Sequence, residues 1–255
     1  MRGLTDKVAI VTGAGSGIGR AIAVRLAEEG CRVGIFDLSA EAGAATRDSI
    51  AAAGGRAWSF VVDIAHAAQV ADALAKFEAA AGPVDVLANN AGWDRAMPFL
   101  KTDRALWDKI IAINLVGPLN LHHMVLPGMV ARGRGKVVNV ASDAARVGSS
   151  GEAVYAACKG GIVAFTKTLA REMARSNVQL NVLCPGPTET PMLAGLTGDD
   201  ASSRKLAEAF SNAVPMRRLG RPDDYPGLVA FLASSDADYI TGQVISVSGG
   251  LTMAG

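Results

Sequence analysis

The chain has little of what marks a secreted or a nucleic-acid-binding protein. It has only 3 cysteines in 255 residues, and Cys31, Cys158 and Cys184 lie too far apart for a Cys-x-x-Cys motif. An odd number of scattered cysteines predicts a reducing, cytoplasmic compartment rather than a disulfide framework. The formal net charge is only +1, so no basic excess favours nucleic acid and we expect no such partner.

Targeting segments, membrane spans and metal-binding patterns are missing as well. The first strand-like run begins at Val8 after a short polar lead, so we expect no signal peptide. Apolar runs are interrupted before the ~18 residues that a membrane span requires, and we expect a soluble protein with no membrane partner. His66, His122 and His123 have no second ligand at useful spacing, so structural roles are predicted for them and no metal site.

Hydrophobic residues make up 50% of the chain and follow two alternating patterns. Short apolar runs of β-type alternate with longer, alanine-rich amphipathic runs, which predicts a parallel sheet covered by helices. We expect one α/β domain over residues 1–255, a doubly wound parallel sheet of Rossmann type with helices on both faces. The predicted strands are Val8–Val11, Arg32–Phe36, Ala57–Val61, Val84–Ala88, Lys136–Val140, Gln179–Leu183 and Val244–Val247. The predicted helices are Ile18–Glu29, Ala42–Ala53, Ala67–Ala81 and Glu152–Ala174.

Residues 187–212 interrupt this alternation. The segment mixes proline, glycine and acidic residues with one short helix-like piece, Arg204–Phe210. Long connections in compact domains are usually functional or disordered, and we interpret this one as a mobile lid over a substrate pocket. A plain surface insertion is the alternative.

A glycine-rich segment joins the first predicted strand to the first predicted helix. It reads Thr12-Gly13-Ala14-Gly15-Ser16-Gly17-Ile18-Gly19. Glycine lets a backbone approach a pyrophosphate closely, and the helix that follows offers N–H donors and the positive end of its dipole. The spacing Gly-x-x-x-Gly-x-Gly differs from the common Gly-x-Gly-x-x-Gly, so the segment predicts a variant of the dinucleotide-binding loop.

Two aspartates follow the second and third predicted strands, at the edge where open α/β sheets bind ligands. Asp37 lies about 20 residues past the glycine loop, where a carboxylate binds both ribose hydroxyls of NAD and repels the 2′-phosphate of NADP. Leu38 and Ser39 supply no positive charge, so NAD is the predicted cofactor. Asp63, followed by Ile64, is predicted to bind the adenine amino group. Helix capping is the alternative for both aspartates, although Ser39 is better placed than Asp37 for that role.

Tyr155 and Lys159 are four residues apart in a predicted helix, beyond Ser142 at the end of a predicted strand. Helical spacing puts the phenol and the ammonium group on one face. A free phenol, with a pKa of about 10, is a poor base at neutral pH, and a nearby cation favours its ionised form. The pair therefore predicts an acid/base centre, with a buried tyrosine beside a surface lysine as the alternative.

Taken together, these motifs resemble the short-chain dehydrogenase/reductase family from Leu4 to Thr252. They occur in the family's order: the glycine loop, Asn89-Asn90-Ala91-Gly92, Asn114, Asn139-Val140-Ala141-Ser142, Tyr155 with Lys159, and Pro185-Gly186. The resemblance implies an NAD-dependent enzyme that oxidises a secondary alcohol to a ketone, assembled as a homotetramer. It also implies that further residues bind the cofactor, namely Asn90, Ala91, Gly92, Tyr155, Lys159, Pro185, Gly186, Thr188 and Thr190.

The same resemblance implies roles in catalysis. Tyr155 is the implied acid/base, and Ser142 supplies the hydroxyl that orients the substrate oxygen. Lys159 would hold the nicotinamide ribose and lower the pKa of Tyr155, assisted by the positive nicotinamide ring. Asn114 would anchor a water that relays protons to solvent. Cys158 stands where many members have serine, which leaves the spacing of the tyrosine and lysine intact.

A closer resemblance within the family, to dehydrogenases of 2-hydroxycycloalkyl acyl-CoA thioesters, implies oxidation of such a thioester to its 2-keto form. The stretches that carry it are 89–94, 125–130, 142–160, 184–188 and 241–253. Arg146 is our candidate for a contact with the thioester oxygen or a CoA phosphate, with a surface salt bridge as the alternative. Trp93 is our candidate for a wall of the ring pocket, with core packing as the alternative.

Three other functions are weighed against this one. A 3-oxoacyl thioester reductase would use NADPH, which Asp37 disfavours. A sugar or polyol dehydrogenase would use the same catalytic residues, so only substrate assays separate it. A non-catalytic NAD(H) sensor belongs to a different class, and a fold alone does not prove chemistry. The complete set of Ser142, Tyr155, Lys159 and Asn114 argues against the sensor.

Overall fold

The apolar runs form the strands of a computed structural model, which describes residues 1–193 and 208–253. The strands are Val8–Thr12 (β1), Arg32–Asp37 (β2), Arg56–Val61 (β3), Val86–Asn89 (β4), Gly135–Val140 (β5), Val178–Pro185 (β6) and Val244–Val247 (β7). They form one seven-stranded sheet in the order β3-β2-β1-β4-β5-β6-β7. Every neighbouring pair is parallel.

The amphipathic runs form helices that cover both faces of this sheet. The helices are Gly17–Glu28 (α1), Ala40–Ala52 (α2), Ala67–Ala81 (α3), Arg104–Ile111 (α4), Gly117–Arg132 (α5), Ala144–Val147 (α6), Ala153–Met173 (α7) and Pro226–Ala233 (α8). Residues of α1, α2 and α8 belong to one core cluster, and those of α3, α5 and α7 belong to another. The predicted doubly wound α/β fold is therefore confirmed, and the element ends lie close to the predicted ones.

Strand β1 shows why its sequence is apolar throughout. Ala9 and Val11 point into the core on the side of α1 and α8, whereas Val8 and Ile10 point into the core on the side of α3 and α5. All four are buried, as expected for a parallel strand covered on both faces. Burying one large aliphatic side chain contributes about 1.5–3 kcal/mol, so the central strands anchor the sheet.

The strand order reverses between β1 and β4. The chain winds outward through β2 and β3, then crosses to β4 on the other side of β1. A crevice opens at such a switch point, outside the carboxyl ends of the two strands, and ligands bind there in open α/β sheets. Thr12 ends β1 and Asn89 ends β4, so the predicted glycine loop and the Asn89-Asn90-Ala91-Gly92 motif meet at this crevice.

One helical segment, Arg104–Arg132, has the length and apolar character of a membrane span, with 29 residues and a mean hydropathy of 1.3 in its most apolar window. Core helices of soluble proteins have the same properties. Here Leu121, Val125 and Met129 pack into the core against the sheet. We therefore interpret the segment as a core helix, not a membrane span.

The predicted lid at 187–212 falls partly on residues that the structure does not describe. Residues 194–207 lie outside the described ranges, and with them the start of the predicted short helix Arg204–Phe210. Residues 191–193 and 208–213 are helical. Residues 187–190 run beside the glycine loop, since a Cβ atom added to Gly17 would lie 3.4 Å from Cγ2 of Thr190. The lid itself stays a prediction.

Candidate active site

The glycine loop, Thr12 to Gly19, packs so closely that it has little room for side chains. Gly13 has a left-handed backbone with φ of +61°. A Cβ atom added to Gly19 would lie 2.1 Å from the carbonyl oxygen of Gly13. Ser16 precedes α1, and within the described part of the chain its hydroxyl caps no helix N–H. The loop therefore presents bare backbone and a helix N-terminus, the arrangement that binds a pyrophosphate.

Asp37 ends β2 beside this loop. Its Oδ2 accepts a hydrogen bond of 2.7 Å from the Gly15 N–H, and its Oδ1 accepts one of 2.9 Å from the Ser39 N–H. Ser39 is the N-cap of α2 and accepts a hydrogen bond from the Ala42 N–H, as predicted. Asp37 is therefore not the capping residue, and its half-buried carboxylate is held in a fixed orientation against the loop.

Thr12 and Asn90 join the ends of β1 and β4. The Thr12 Oγ1 accepts hydrogen bonds of 3.0 Å from the N–H groups of both Asn90 and Ala91. The Asn90 Nδ2 donates to the Thr12 carbonyl oxygen at 3.0 Å. These three predicted cofactor residues therefore also have a structural role, because they fix the two strand ends that border the crevice.

Asp63 and Ile64 follow β3 and stabilise the turn before α3. Asp63 Oδ1 accepts a hydrogen bond of 2.9 Å from the Ala65 N–H, while the N-cap of α3 is His66. Asp63 is therefore a turn residue, not the helix cap. Ile64 is buried, and a Cβ atom added to Gly117 would lie 2.5 Å from Ile64 Cδ1. A contact of either residue with adenine stays a prediction.

Residues after β6 cross from the sheet edge to the glycine loop. Pro185 ends β6, and Gly186 packs against Ser248, where an added Cβ atom would lie 2.9 Å from the serine Cβ. Thr188 Oγ1 donates to the Gly186 carbonyl oxygen at 2.7 Å and is hydrogen-bonded to the Tyr225 hydroxyl. The segment thus reaches Thr190, which lies against the loop.

These residues fit a dinucleotide. The glycine loop presents bare backbone at the N-terminus of α1, because Gly13 and Gly19 pack too closely on neighbouring atoms to carry a side chain, and backbone N–H groups at a helix N-terminus bind phosphate. The Asp37 carboxylate lies one hydrogen bond away from Gly15, where a ribose next to the pyrophosphate would reach it. The residues that would hold a nicotinamide dinucleotide are therefore the loop, Asp37 and the segments 90–92 and 185–190.

Tyr155 and Lys159 lie on the buried face of α7, next to the end of β5. They are only 8% and 3% exposed. Lys159 Nζ is 5.6 Å from the centroid of the Tyr155 ring and donates a hydrogen bond of 2.9 Å to the Val140 carbonyl oxygen. The Ser142 hydroxyl lies near enough to the Tyr155 phenol to lower the pKa of that phenol. The structure thus brings the predicted serine, tyrosine and lysine together, and a phenol and a hydroxyl so arranged can bind one alcohol oxygen.

Burial dominates the acid/base properties of this group. It raises the pKa of Tyr155 far above its usual value, and the charges of Glu152 and Asp94 raise it further. The Ser142 hydroxyl acts in the opposite direction. Burial also lowers the pKa of Lys159 to about 8. The predicted lowering of the Tyr155 pKa is therefore wrong for the protein without ligands, because removing the phenol from water outweighs an ammonium group at this distance.

Asn114 lies in a π-helical turn, Ala112–Val116, between α4 and α5. It is fully buried, and its Nδ2 donates hydrogen bonds to the carbonyl oxygens of Trp93 at 2.6 Å and Ile110 at 2.9 Å. A Cβ atom added to Gly92 would lie 2.9 Å from Asn114 Oδ1. Single π-turns within helices are frequent at functional sites. Asn114 therefore ties this helix to the segment after β4, and its water-anchoring role stays a prediction.

Trp93 lies beside the catalytic group. Its side chain packs in a small apolar cluster with Tyr155 and Ile110, and Lys109 Nζ lies 3.9 Å from the centroid of its ring. The alternative role of Trp93 in core packing therefore holds in part, because its ring packs against these buried residues. The predicted contact with substrate stays a prediction.

Arg146 reaches across to β7. Its Nη1 donates hydrogen bonds to the Val244 carbonyl oxygen at 3.3 Å and to Ser246 Oγ at 2.9 Å. Arg146 therefore has a structural role in joining α6 to the edge strand. Its predicted contact with a thioester or a CoA phosphate stays a prediction.

Sequence reasoning missed a buried polar network behind the catalytic group. Asn89 Nδ2 donates to Asn139 Oδ1 at 2.9 Å, and Asn139 Nδ2 donates to Thr166 Oγ1 at 2.8 Å. The His122 ring lies against both amides, with Nε2 at 3.2 Å from Asn139 Nδ2. Asn89 and Asn139 both belong to the motifs that carry the family resemblance, and this was the only sign in the sequence that they have a shared role.

Within residues 1–193 and 208–253, no group of three His, Cys, Asp or Glu side chains could hold a metal ion.

The chain is similar over nearly its whole length to enzymes that act on hydroxyl and ketone groups. Residues 13–252 match a family model described as enoyl-(acyl carrier protein) reductase. The chain is 37% identical to the (2S)-[(R)-hydroxy(phenyl)methyl]succinyl-CoA dehydrogenase subunit BbsD of Thauera aromatica, over 98% of each chain. It is 35% identical to the 3-oxoacyl-[acyl-carrier-protein] reductase FabG of Thermotoga maritima, over 98% of this chain and 99% of the relative. A solved structure of an actinorhodin polyketide ketoreductase variant with NADPH has a TM-score of 0.92 and 34% identity, over 98% of this chain and 99% of the other.

Proposed function

The chain belongs to the short-chain dehydrogenase/reductase family, and from that premise we propose that it oxidises the secondary alcohol of a hydroxyacyl-CoA thioester to a ketone with NAD. The observation that carries this proposal is the convergence of Ser142, Tyr155 and Lys159, with a buried phenol near the Ser142 hydroxyl and a buried ammonium group. An oxidoreductase of this family needs a group that accepts the alcohol proton. Tyr155 is that group.

NAD supplies the hydride acceptor when it is bound. The chain's own residues hold and deprotonate the alcohol. Ser142 donates a hydrogen bond to the alcohol oxygen, which directs the hydroxyl hydrogen towards Tyr155, and the phenolate form of Tyr155 accepts that proton. The positive charge of Lys159 favours the phenolate, and Asn114 holds the backbone after Gly92 in place through its hydrogen bonds with the Trp93 N–H and carbonyl oxygen.

Asp37 supports NAD as the cofactor. Its carboxylate is fixed by two backbone N–H groups, so it would accept hydrogen bonds from a ribose diol without reorganisation. A 2′-phosphate at the same place would be repelled by this charge. The similarity to a ketoreductase solved with NADPH favours the other cofactor, and a direct comparison of NAD and NADP decides between them.

The substrate class is supported by the similarity to a CoA-thioester dehydrogenase subunit. Within that class we propose 2-hydroxycyclohexane-1-carboxyl-CoA, oxidised to 2-ketocyclohexane-1-carboxyl-CoA in the degradation of alicyclic and aromatic acids. This choice of substrate rests on residues 142–160, because they are among the stretches that carry the closer resemblance and include the segment directly after the catalytic serine, Ser142. Trp93, packed against the catalytic tyrosine, would form an apolar wall for the ring.

A second candidate is reduction of a 3-oxoacyl thioester, in the reverse direction. It is favoured by the match to the acyl-carrier-protein reductase model and by the 35% identity to a 3-oxoacyl-[acyl-carrier-protein] reductase. A sugar or polyol dehydrogenase would use the same catalytic residues. A non-catalytic NAD(H) sensor would need none of them.

The test is the absorbance of NADH formed when the purified protein meets NAD and a panel of alcohols. The panel contains cyclic and linear 2- and 3-hydroxyacyl-CoA esters, sugars and polyols, with Tyr155→Phe as the inactive control. We expect turnover with a cyclic 2-hydroxyacyl-CoA ester. Faster reduction of 3-oxoacyl thioesters with NADPH would favour the reductase, and tight NADH binding without any turnover would favour the sensor.

We also propose a cytoplasmic homotetramer. Cys31, Cys158 and Cys184 are free and buried, which agrees with a reducing compartment. The helical segment 104–132 exposes the apolar side chains of Ile111 and Val116, and the helices near Thr102 to His123 and Glu152 to Ala174 are the proposed contacts. Light scattering of the eluting protein tests the assembly.

A further inference from the structure

The catalytic serine lies at the start of a very short helical turn. Ser142 directly precedes Asp143, which is the N-cap of α6, and α6 has only 4 residues, Ala144–Val147. The Ser142 Oγ accepts a hydrogen bond of 3.1 Å from the Ala144 N–H. A hydroxyl has one hydrogen and two lone pairs, so this bond uses a lone pair and leaves the hydrogen to donate to a substrate. The orientation of the catalytic hydroxyl therefore depends on the geometry of the turn 142–147.

This turn needs bonds to other parts of the protein to keep its shape. Isolated helices shorter than about 12–15 residues are marginal in water, so a single turn is not stable alone. The Asp143 N–H donates a hydrogen bond of 3.0 Å to the Pro185 carbonyl oxygen at the end of β6. One backbone bond fixes one point of the turn, and its orientation depends on side-chain contacts as well.

Both charged side chains of the turn reach the same hydroxyl group on the edge strand β7. The Ser246 Oγ donates a hydrogen bond to Asp143 Oδ1 and accepts one of 2.9 Å from Arg146 Nη1. Arg146 Nη1 also donates to the Val244 carbonyl oxygen at 3.3 Å. Hydrogen bonds to charged groups are about twice as strong as those between neutral groups. One serine hydroxyl thus joins an anionic and a cationic side chain of the turn to the sheet.

The Asp143 carboxylate depends on this hydroxyl because it is buried. Asp143 is only 3% exposed, and its Oδ2 has no hydrogen-bond partner among the described residues. The bond from Ser246 to Oδ1 is therefore the hydrogen bond that solvates the side chain within that part of the protein. A buried charge that loses its donor is strongly unfavourable. Removal of the Ser246 hydroxyl should therefore displace the turn until the carboxylate reaches water.

We propose that Ser246 is a positioning residue for catalysis, whose hydroxyl holds Asp143 and Arg146 and thereby orients the Ser142 hydroxyl towards the substrate oxygen. The kinetic part of this inference rests on the proposed function of Ser142. The mechanical part does not, because the turn is held in the folded protein whether or not a substrate binds.

Kinetics test the action of Ser246 on the catalytic serine. Ser246→Ala removes the shared hydroxyl, and it should lower kcat at least about tenfold with unchanged NADH binding, because small displacements near a reacting centre reduce rates up to about 100-fold. Ser246→Thr keeps a hydroxyl on a side chain that suits a strand, and it should restore most of the lost kcat. Ser235→Ala is the matched control, since that exposed hydroxyl donates to the Arg2 carbonyl oxygen, and it should leave kcat unchanged.

A double-mutant cycle separates positioning from a general loss of structure. Ser142→Ala removes the hydroxyl that the turn orients. If Ser246 acts through Ser142, adding Ser246→Ala to Ser142→Ala should lower kcat by less than about twofold more, because no catalytic hydroxyl is left to misplace. Arg146→Met breaks the same junction from its other side and should show the same pattern, which covers the case that Ser246→Ala does not fold.

Hydrogen exchange tests the mechanical part without a substrate. The N–H groups of residues 144–147 all donate to Ser142 or Asp143 within the turn. In Ser246→Ala they should exchange at least about tenfold faster, because the local opening of the turn becomes easier. The N–H groups of β5 should keep their wild-type rates, and Ser235→Ala should change neither set.

Two results would overturn the inference. Unchanged exchange of residues 144–147 in Ser246→Ala would mean that the turn holds its shape without the hydroxyl. A kcat that Ser246→Ala leaves unchanged, or lowers by the same factor with and without Ser142, would mean that Ser246 does not act through the catalytic serine. If the wild-type protein turns over no substrate, the proposed function fails, while hydrogen exchange still decides whether the hydroxyl holds the turn.

Discussion

Asp37 offers the sharpest test of cofactor choice, because its carboxylate is both fixed and half-buried. The substitution Asp37→Ser removes the charge and leaves a small hydroxyl near the Gly15 N–H. In the wild-type protein this N–H donates a hydrogen bond to the aspartate. A 2′-phosphate carries a charge of about −1.5 to −2 near neutral pH. The change therefore removes a repulsion for NADP and two strong hydrogen bonds for NAD.

The magnitude follows from this geometry. Two unit charges 4 Å apart interact by about 4 kcal/mol at the effective dielectric constant of a protein surface, and by about 1 kcal/mol in water. A half-buried Asp37 lies between these limits, so we take about 2 kcal/mol for repulsion. A hydrogen bond to a charged group contributes about 1.5–3 kcal/mol, and serine replaces part of it. The selectivity for NAD should fall by about 3 kcal/mol, or roughly 100-fold.

The assay compares kcat/KM for NAD and for NADP with the same alcohol, in wild type and variant. The ratio is the readout because weaker support of the glycine loop would reduce binding of both cofactors equally. Glu41→Gln is the matched control, since Glu41 is an exposed carboxylate in the first turn of α2 and its removal should change the ratio by less than about threefold. An unchanged ratio in Asp37→Ser, or a wild-type preference for NADP, would refute the reasoning.

Three further predictions concern the chemistry, the loop and the core. Tyr155→Phe should lower kcat by about 10²–10⁴-fold while fluorescence titration finds unchanged NADH binding; weaker binding would contradict a purely chemical role. Gly19→Ala puts a Cβ atom 2.1 Å from the Gly13 carbonyl oxygen, so NADH binding should weaken more than tenfold and stability should fall by about 1–3 kcal/mol, as measured by urea unfolding. Burial lowers the pKa of His122 to about 4, so the stability from its neutral ring is present above pH 6.5 and is lost as the pH falls towards 4; His122→Gln should show a smaller loss over that range.

Most of the fold could be predicted because the strands are short apolar runs and several helices end at glycine. Gly30, with φ of +89°, follows the C-cap residue of α1, Glu29, and admits a backbone that other residues disfavour. Helix α5 was not among the helices predicted from periodicity, and it contains Gly117, Pro127 and Gly128, which are poor helix residues. The packing of Leu121 and its neighbours against the sheet overrides that local preference.

The candidate site was predictable where chemistry requires a residue type at a fixed spacing. Tyr155 and Lys159 face the same side because four residues make about one helical turn. The hydrogen bond from the Met97 N–H to the Gly151 carbonyl oxygen could not be foreseen in the same way, because it joins segments far apart in the chain. Their proximity depends on how the loop after β4 docks on the start of α7, and no local pattern records that docking.

The buried polar network explains how such distant segments keep a fixed register. Apolar side chains would fill the space between β4, β5, α5 and α7 equally well, but they would permit small shifts along the helix axes. Asn139 bonds Asn89 on the neighbouring strand and Thr166 on α7, and His122 links both amides to α5. Each bond requires its partner at about 3 Å with correct direction, so the bond from Asn139 to Thr166 opposes shifts of α7 against β5. Because α7 also carries Tyr155 and β5 leads to Ser142, the same bond helps to hold the phenol near the serine.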